Sequence, residues 1–304
     1  MRNMLGNLRG ALSQFDWTVL WSPYYALLLI GLYVLYAFIT EKIRRPDEAE
    51  TTLAQKFMML AALFVYYIGF GSPLDVLAHI TFSAHMLQMV FVYMVAPPLL
   101  MLAIPGWAFK RLFGVPYLGK ALRFFTLPLI ALVVFNSLFT FYHMPFIFDY
   151  VLTNYTVHRL FHGTLIFLSM TMWYPIIAPV NEEDSLSDLK KMVYIVANGV
   201  LLTPACAFMI FSQSFQYDAY QDPATFAKVL AYCLPNNDVS GLNMERLFGT
   251  TKDLLEDQRF GGVLMKLGQE LVYGIFFGLT FFTWVRRSKS TAVDEGMSFT
   301  PKAD

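Results

Sequence analysis

The chain has 304 residues, of which 57% are hydrophobic, 17% aromatic and only 14% charged. Soluble domains carry about 25% charged residues. Several apolar runs here exceed the roughly 18 to 20 residues needed to cross a bilayer core of about 30 Å, so an ordinary soluble domain is excluded. A formal net charge of zero gives no basic surface for nucleic acid, and two cysteines, Cys206 and Cys233, are too few for a disulfide framework.

The expected fold is all-α, a polytopic integral membrane bundle forming one domain over residues 1–304. Hydropathy predicts seven spans, at about 18–40, 53–71, 75–104, 122–142, 157–180, 191–212 and 263–285. The first is too long for the core of a cleavable leader, and its positive charges follow it instead of preceding it. The third contains Pro97-Pro98, which should end or kink it at its inner end. Turns at Phe70-Gly71-Ser72-Pro73 and Ile104-Pro105-Gly106 punctuate the ends of neighbouring spans. Between the sixth and seventh spans lies a long segment, 213–262. There, Asp222-Pro223 predicts an N-cap and first-turn proline for a short helix from Ala224 to Cys233. A second helix is expected from Asn243 to Asp257, lying on the membrane surface, and Gly261-Gly262 should release the chain into the last span.

Short loops keep their Lys and Arg on the cytoplasmic side. One set of loops holds Lys42, Arg44, Arg45 and Lys56, then Lys110, Arg111, Lys120 and Arg123, then Lys190 and Lys191, and finally Arg286, Arg287, Lys289 and Lys302. The opposing short loops, 72–74 and 143–156, hold none. The N-terminus is therefore expected outside and the C-terminus in the cytoplasm.

That orientation puts all five histidines toward the outer side. His79 and His85 fall in the outer half of the third span, His143 at the outer end of the fourth, and His158 and His162 at the start of the fifth. Ionisable groups at membrane depth are costly and are functional candidates by default. His158 and His162 are four apart on one helix face, a spacing suited to a shared metal ion. His85 and Met89 have the same spacing, and Met86 is seven beyond His79 on a different face. On a continuous helix His79 and His85 point about 120° apart, so they should not hold one metal together. Cys206 and Glu270 lie at comparable depth in the sixth and seventh spans. The candidate metal ligands are thus His85, His162, His158, His79, His143, Met89, Met86, Cys206 and Glu270. Imidazole with thioether or thiolate favours copper, whereas imidazole with carboxylate favours iron or zinc.

Plainer roles stand beside these. Met86 and Met89 also suit packing, Cys206 a small apolar core position, His143 an interface, His158 a bond to loop backbone, and Glu270 a buried packing partner. Gln88, Asn136 and Asn198 read as interhelical hydrogen-bonding residues, and Arg159 as a side chain snorkelling to the outer surface. There is no phosphate-binding glycine loop, Cys-x-x-Cys or His-Glu-x-x-His motif. No catalytic residue is assigned.

At these positions the sequence resembles the CtaG family of cytochrome c oxidase assembly factors, the polytopic type associated with caa3 oxidases. The resemblance runs through Ser72-Pro73-Leu74, Ala84-His85-Met86-Leu87-Gln88 and Ala96-Pro97-Pro98-Leu99-Leu100. It continues in Tyr142-His143-Met144-Pro145 with His158 and His162, then Met172-Trp173-Tyr174-Pro175. Leu202-Thr203-Pro204-Ala205-Cys206-Ala207-Phe208, Asp257-Gln258-Arg259 and Gly261-Gly262 complete it. Where many members read His-Met-x-x-His, this chain has His85-Met86-Leu87-Gln88-Met89, a thioether in place of the second imidazole.

The resemblance implies a non-enzymatic, multi-pass protein of a bacterial plasma membrane that helps mature an oxidase, by handling copper at the outer face. The partners it implies are oxidase subunits within the lipid bilayer, and self-association into a homo-oligomer is left open. Two alternatives come from other classes. One is an oxidoreductase holding a haem between His85 and His162. The other is a metal transporter, against which stand inner span halves almost free of ionisable residues.

Overall fold

A computed structural model of the chain describes residues 2–177, 186–251 and 253–297. Lys252, Lys302 and the end of the expected fifth span, 178–180, lie outside the described residues. All regular elements among the described residues are helical. In chain order they begin with α1 (Arg2–Leu12), α2 (Trp17–Trp21), α3 (Pro23–Phe38), α4 (Leu53–Phe70), α5 (Pro73–Ile80) and α6 (Phe82–Met89). Next come α7 (Ala96–Ala103), α8 (Gly106–Gly114), α9 (Leu118–Phe125), α10 (Pro128–Tyr142), α11 (Pro145–Leu152) and α12 (Tyr155–Ile177). The remainder are α13 (Asp188–Phe211), α14 (Asp218–Gln221), α15 (Pro223–Ala231), α16 (Met244–Phe248) and α17 (Leu254–Met297).

Six helical stretches are long and apolar enough to cross a membrane, or seven if α9 and α10, which meet at 76°, form one broken span. They correspond to the seven expected runs. The central one, Phe82–Ala103, has 67% of its apolar window buried, against 17% for the first and 28% for both the second and the last. It packs against α4, α12 and α17, while α10 bridges α12 and α13, and α13 lies along α17. The outer helices expose large apolar side chains, among them Leu27, Phe64, Leu129, Val193 and Leu271. A belt of that kind fits hydrocarbon and would be unsuitable in water.

The third run departs from expectation in two places. It is not continuous from 75 to 104, because Thr81 is extended, with φ −132° and ψ 138°, and separates α5 from α6. Nor does it end at Pro97-Pro98. Both prolines enter the first turn of α7, where a missing N–H costs little, and the irregularity falls earlier in a π-helical stretch, Val90–Val95. Pro97 has no N–H to give the Tyr93 carbonyl, and Ser169 Oγ donates to that carbonyl instead, at 2.5 Å.

The last helix also differs. It begins at Leu254, so only Met244–Phe248 of the expected surface helix exists as a separate element. Gly261 and Gly262 lie inside α17 instead of preceding it. A Cβ on Gly261 would stand 2.9 Å from Phe82 and 3.0 Å from Met86, and one on Gly262 would stand 2.9 Å from Ile210. Their absent side chains let α17 approach α6 on one face and α13 on the other.

Other expectations hold. Asp222 caps α15, accepting from Thr225 N at 2.8 Å, with Pro223 in the first turn. Asn136 Nδ2 donates to Asn198 Oδ1 at 2.8 Å between α10 and α13. Gln88 Nε2 donates to the Gly69 carbonyl of α4 at 2.7 Å. The Lys- and Arg-bearing loops meet at one end of the bundle, where Arg111 pairs with Glu48 at 2.7 Å and Arg287 with Asp188 at 3.3 Å. The histidines occupy the other end.

Candidate functional site

The break at Thr81 creates the site. It lets α5 swing off the axis of α6, so the rotation counted along a continuous helix no longer separates His79 from His85. Both line one cavity of about 700 Å³, together with His158, His162, Asp75 and Cys233. That volume lies within the ordinary range for small-ligand sites.

Depth differs among these groups. His85 is 3% exposed and His162 8%, whereas His79, His158 and Cys233 are half-buried. The His158 and His162 rings pack edge to face with centroids 4.3 Å apart, as the four-residue spacing predicts. The His79 ring lies 6.1 Å from that of His158. A row of imidazoles therefore runs from the half-buried rim to the buried floor.

Three of the rings, His79, His162 and His85, are oriented by a second group. His79 Nδ1 donates to the Asp75 carbonyl at 2.8 Å, so the proton sits on Nδ1 and the Nε2 lone pair is left available. His162 Nδ1 is hydrogen-bonded to the Tyr93 hydroxyl, and His162 Nε2 is buried with no partner. His85 Nε2 meets the Tyr142 hydroxyl at 3.3 Å. The Tyr142 ring stands 5.8 Å from that of His85 and 5.9 Å from that of His162, between the two. A buried nitrogen without a partner is costly; it is also the atom that a metal or a polar ligand would use.

His143 is set apart from the cavity. It closes α10, is 1% exposed, and donates from Nδ1 to the Phe139 carbonyl at 2.7 Å, leaving Nε2 unpartnered. Its ring packs on Phe139 and Tyr142, so it is a core residue and not an interfacial one.

The sulfur and carboxylate candidates from the spans do not join the histidines. Met86 and Met89 are fully buried among core side chains and do not line the cavity. Cys206 is 1% exposed, and its backbone carbonyl lies against Gly262 of α17. Glu270 forms an ion pair with Lys266 at 2.6 Å, its side chain 55% exposed. The two helices that carry Cys206 and Glu270 pack on each other, neither residue lines the histidine cavity, and depth along a span says nothing about rotation. Met89→Leu, which keeps the volume and removes the sulfur, should therefore leave function unchanged. Met89→Ala should lower the amount of folded protein in the membrane, since a buried methionine truncated to alanine costs about 2–5 kcal/mol.

The residues that sequence reading missed are Asp75, Tyr93, Tyr142 and Cys233. The tyrosines are ordinary in composition, and only the tertiary structure sets their hydroxyls against imidazoles. Cys233 arrives from the segment after α13, which is tied down at several points. Tyr220 Oη donates to the Ala78 carbonyl of α5 at 2.7 Å, and Tyr232 Oη to the Thr153 carbonyl at 2.6 Å. Asp149 of α11 accepts from Asp218 N at 3.1 Å and Ala219 N at 2.9 Å, while burial pushes its carboxyl above the usual carboxylate range.

As placed, no three or more His, Cys, Asp or Glu side chains among the described residues form a group that could hold a metal ion. The donors are instead strung out along the cavity, a pattern that fits a transient ligand better than a closed structural centre. A family model for the cytochrome c oxidase caa3 assembly factor matches residues 34–287, most of the chain. No curated protein and no solved structure matches it.

Proposed function

Because the chain belongs to the family of caa3 cytochrome c oxidase assembly factors, we propose that it matures an oxidase without catalysing a reaction itself, holding copper as cargo in the histidine cavity and passing it to an oxidase subunit. The observation that carries this reading is the set of four histidines lining one cavity, with His162 Nε2 buried and unpartnered. Imidazoles with a nearby thiol are a donor set suited to copper. The bias of Lys and Arg in short loops supports an outward-facing histidine end in a bacterial plasma membrane.

Deletion of the protein should leave the oxidase polypeptide in the membrane but copper-poor and inactive, most clearly under copper limitation. A reporter fused after Lys289 should be cytoplasmic, and a tag in 213–251 should be accessible from outside. Normal oxidase activity in the copper-limited deletion strain would sink the reading, as would a Soret band in the purified protein. A C-terminus found outside would reverse the direction of delivery.

A further inference from the structure

The cavity holds one donor of a different kind from the rest. Cys233 and His79 line the same cavity and interact electrostatically there, and both are half-buried. Since His79 Nδ1 gives its proton to the Asp75 carbonyl, its remaining nitrogen, Nε2, keeps its lone pair for a ligand in the cavity. A thiol beside a neutral imidazole offers two metal ligands, of which only the thiol must first lose a proton. Neither group is loosely held. His79 is fixed by its bond within α5, and Cys233 follows α15, whose flanks are bolted to α5 through Tyr220 and to the end of α11 through Tyr232.

Resting on the reading of the cavity as a copper carrier, we propose that Cys233 and His79 form its capture position, a two-coordinate thiolate–imidazole site for copper(I) at the half-buried rim. Copper(I) accepts two ligands in line, so a third donor is not required, in keeping with the absence of a larger ligand group among the described residues. Thiolate selects copper(I) over harder cations. On binding, the metal replaces the thiol proton, which is released to water; the Cu–S and Cu–N bonds form, the S–H bond breaks, and no oxidation state changes. Beyond the capture position, the His158 ring lies 6.1 Å from His79 and 4.3 Å from His162. The buried His162 Nε2, which has no partner, is the inward destination.

The test uses the purified full-length protein in detergent, titrated anaerobically with copper(I) against a chromophoric chelator. Wild type should bind copper(I) with a sulfur neighbour in its X-ray absorption spectrum. Cys233→Ser should lose that sulfur and bind at least about tenfold more weakly, since even an outer-shell partner is worth ~10–100-fold in affinity. Cys206→Ser should match wild type in both. Bound copper(I) should also slow alkylation of Cys233 in the unmutated protein, read by mass spectrometry, which keeps the question open to measurement if the serine variant fails to accumulate. Wild-type affinity and an unchanged sulfur signal in Cys233→Ser, or alkylation of Cys233 indifferent to copper(I), would overturn the capture position and leave the carrier intact. Failure of wild type to bind copper(I) at all would remove both.

Discussion

His162→Ala should abolish oxidase maturation while the protein still accumulates in the membrane. The two outcomes separate because of where the ring sits. His162 Nε2 is buried without a partner, and the ~1–3 kcal/mol relieved by removing it offsets the similar cost of leaving the buried Tyr93 hydroxyl without its bond. The ring also borders an open cavity, so its loss enlarges a space already present and does not create a void in a packed core. The functional loss has no such compensation, because His162 carries the deepest unpartnered nitrogen of the cavity. His85→Ala should behave alike, since it shares the cavity floor and the Tyr142 contact. Tyr93→Phe removes only the hydroxyl that orients His162 and should weaken copper(I) binding ~10–100-fold, the usual worth of such an orienting bond. Oxidase activity per assembled polypeptide, read beside an immunoblot of the factor, checks this. Full maturation with both His85→Ala and His162→Ala would show that the cavity does not handle the cargo.

Asp257→Ala has the opposite signature, loss of the protein itself. The N-terminus of α6 lies inside the bundle, and its first N–H groups need acceptors there. Asp257, 9% exposed and 175 residues away in sequence, supplies them: Oδ2 accepts from Phe82 N at 2.8 Å and Ser83 N at 3.2 Å, and Oδ1 from Ser83 Oγ at 2.5 Å. Carboxylate bonds to a helix N-terminus are among the stronger hydrogen bonds. Truncation leaves three donors unsatisfied at about 1–3 kcal/mol each, a large part of the ~5–15 kcal/mol that holds a folded protein together. Accumulation in the membrane should fall several-fold, with a lowered thermal midpoint for what remains. Asp257→Asn, which keeps an accepting oxygen, should fall between. An Asp257→Ala protein that accumulates and melts like wild type would refute this role for the carboxylate.

Composition and hydropathy alone settled the class of this protein and the approximate place of every span, because burial in hydrocarbon is a sum over local residues and needs no knowledge of neighbours. Local chemistry likewise announced the Asp222-Pro223 cap of α15, the shared face of His158 and His162, and the bonding roles of Gln88, Asn136 and Asn198. What hydropathy could not see was the break at Thr81, since residues on either side are equally apolar and the group that stabilises the new helix start is Asp257, far along the chain. That one break brings His79 and His85 to line the same cavity, although among the described residues they form no shared group of three or more metal donors. Gly261-Gly262 looked like a turn for a related reason: glycine marks both chain reversals and close helix contacts, and only the positions of α6 and α13 distinguish the two. Depth along a span put Cys206 and Glu270 level with the histidines, but rotation and helix neighbours decided that they face elsewhere. The tertiary structure alone brought Tyr93, Tyr142 and Cys233 to the imidazoles, because a ligand site is a convergence of distant segments and no local sum records it.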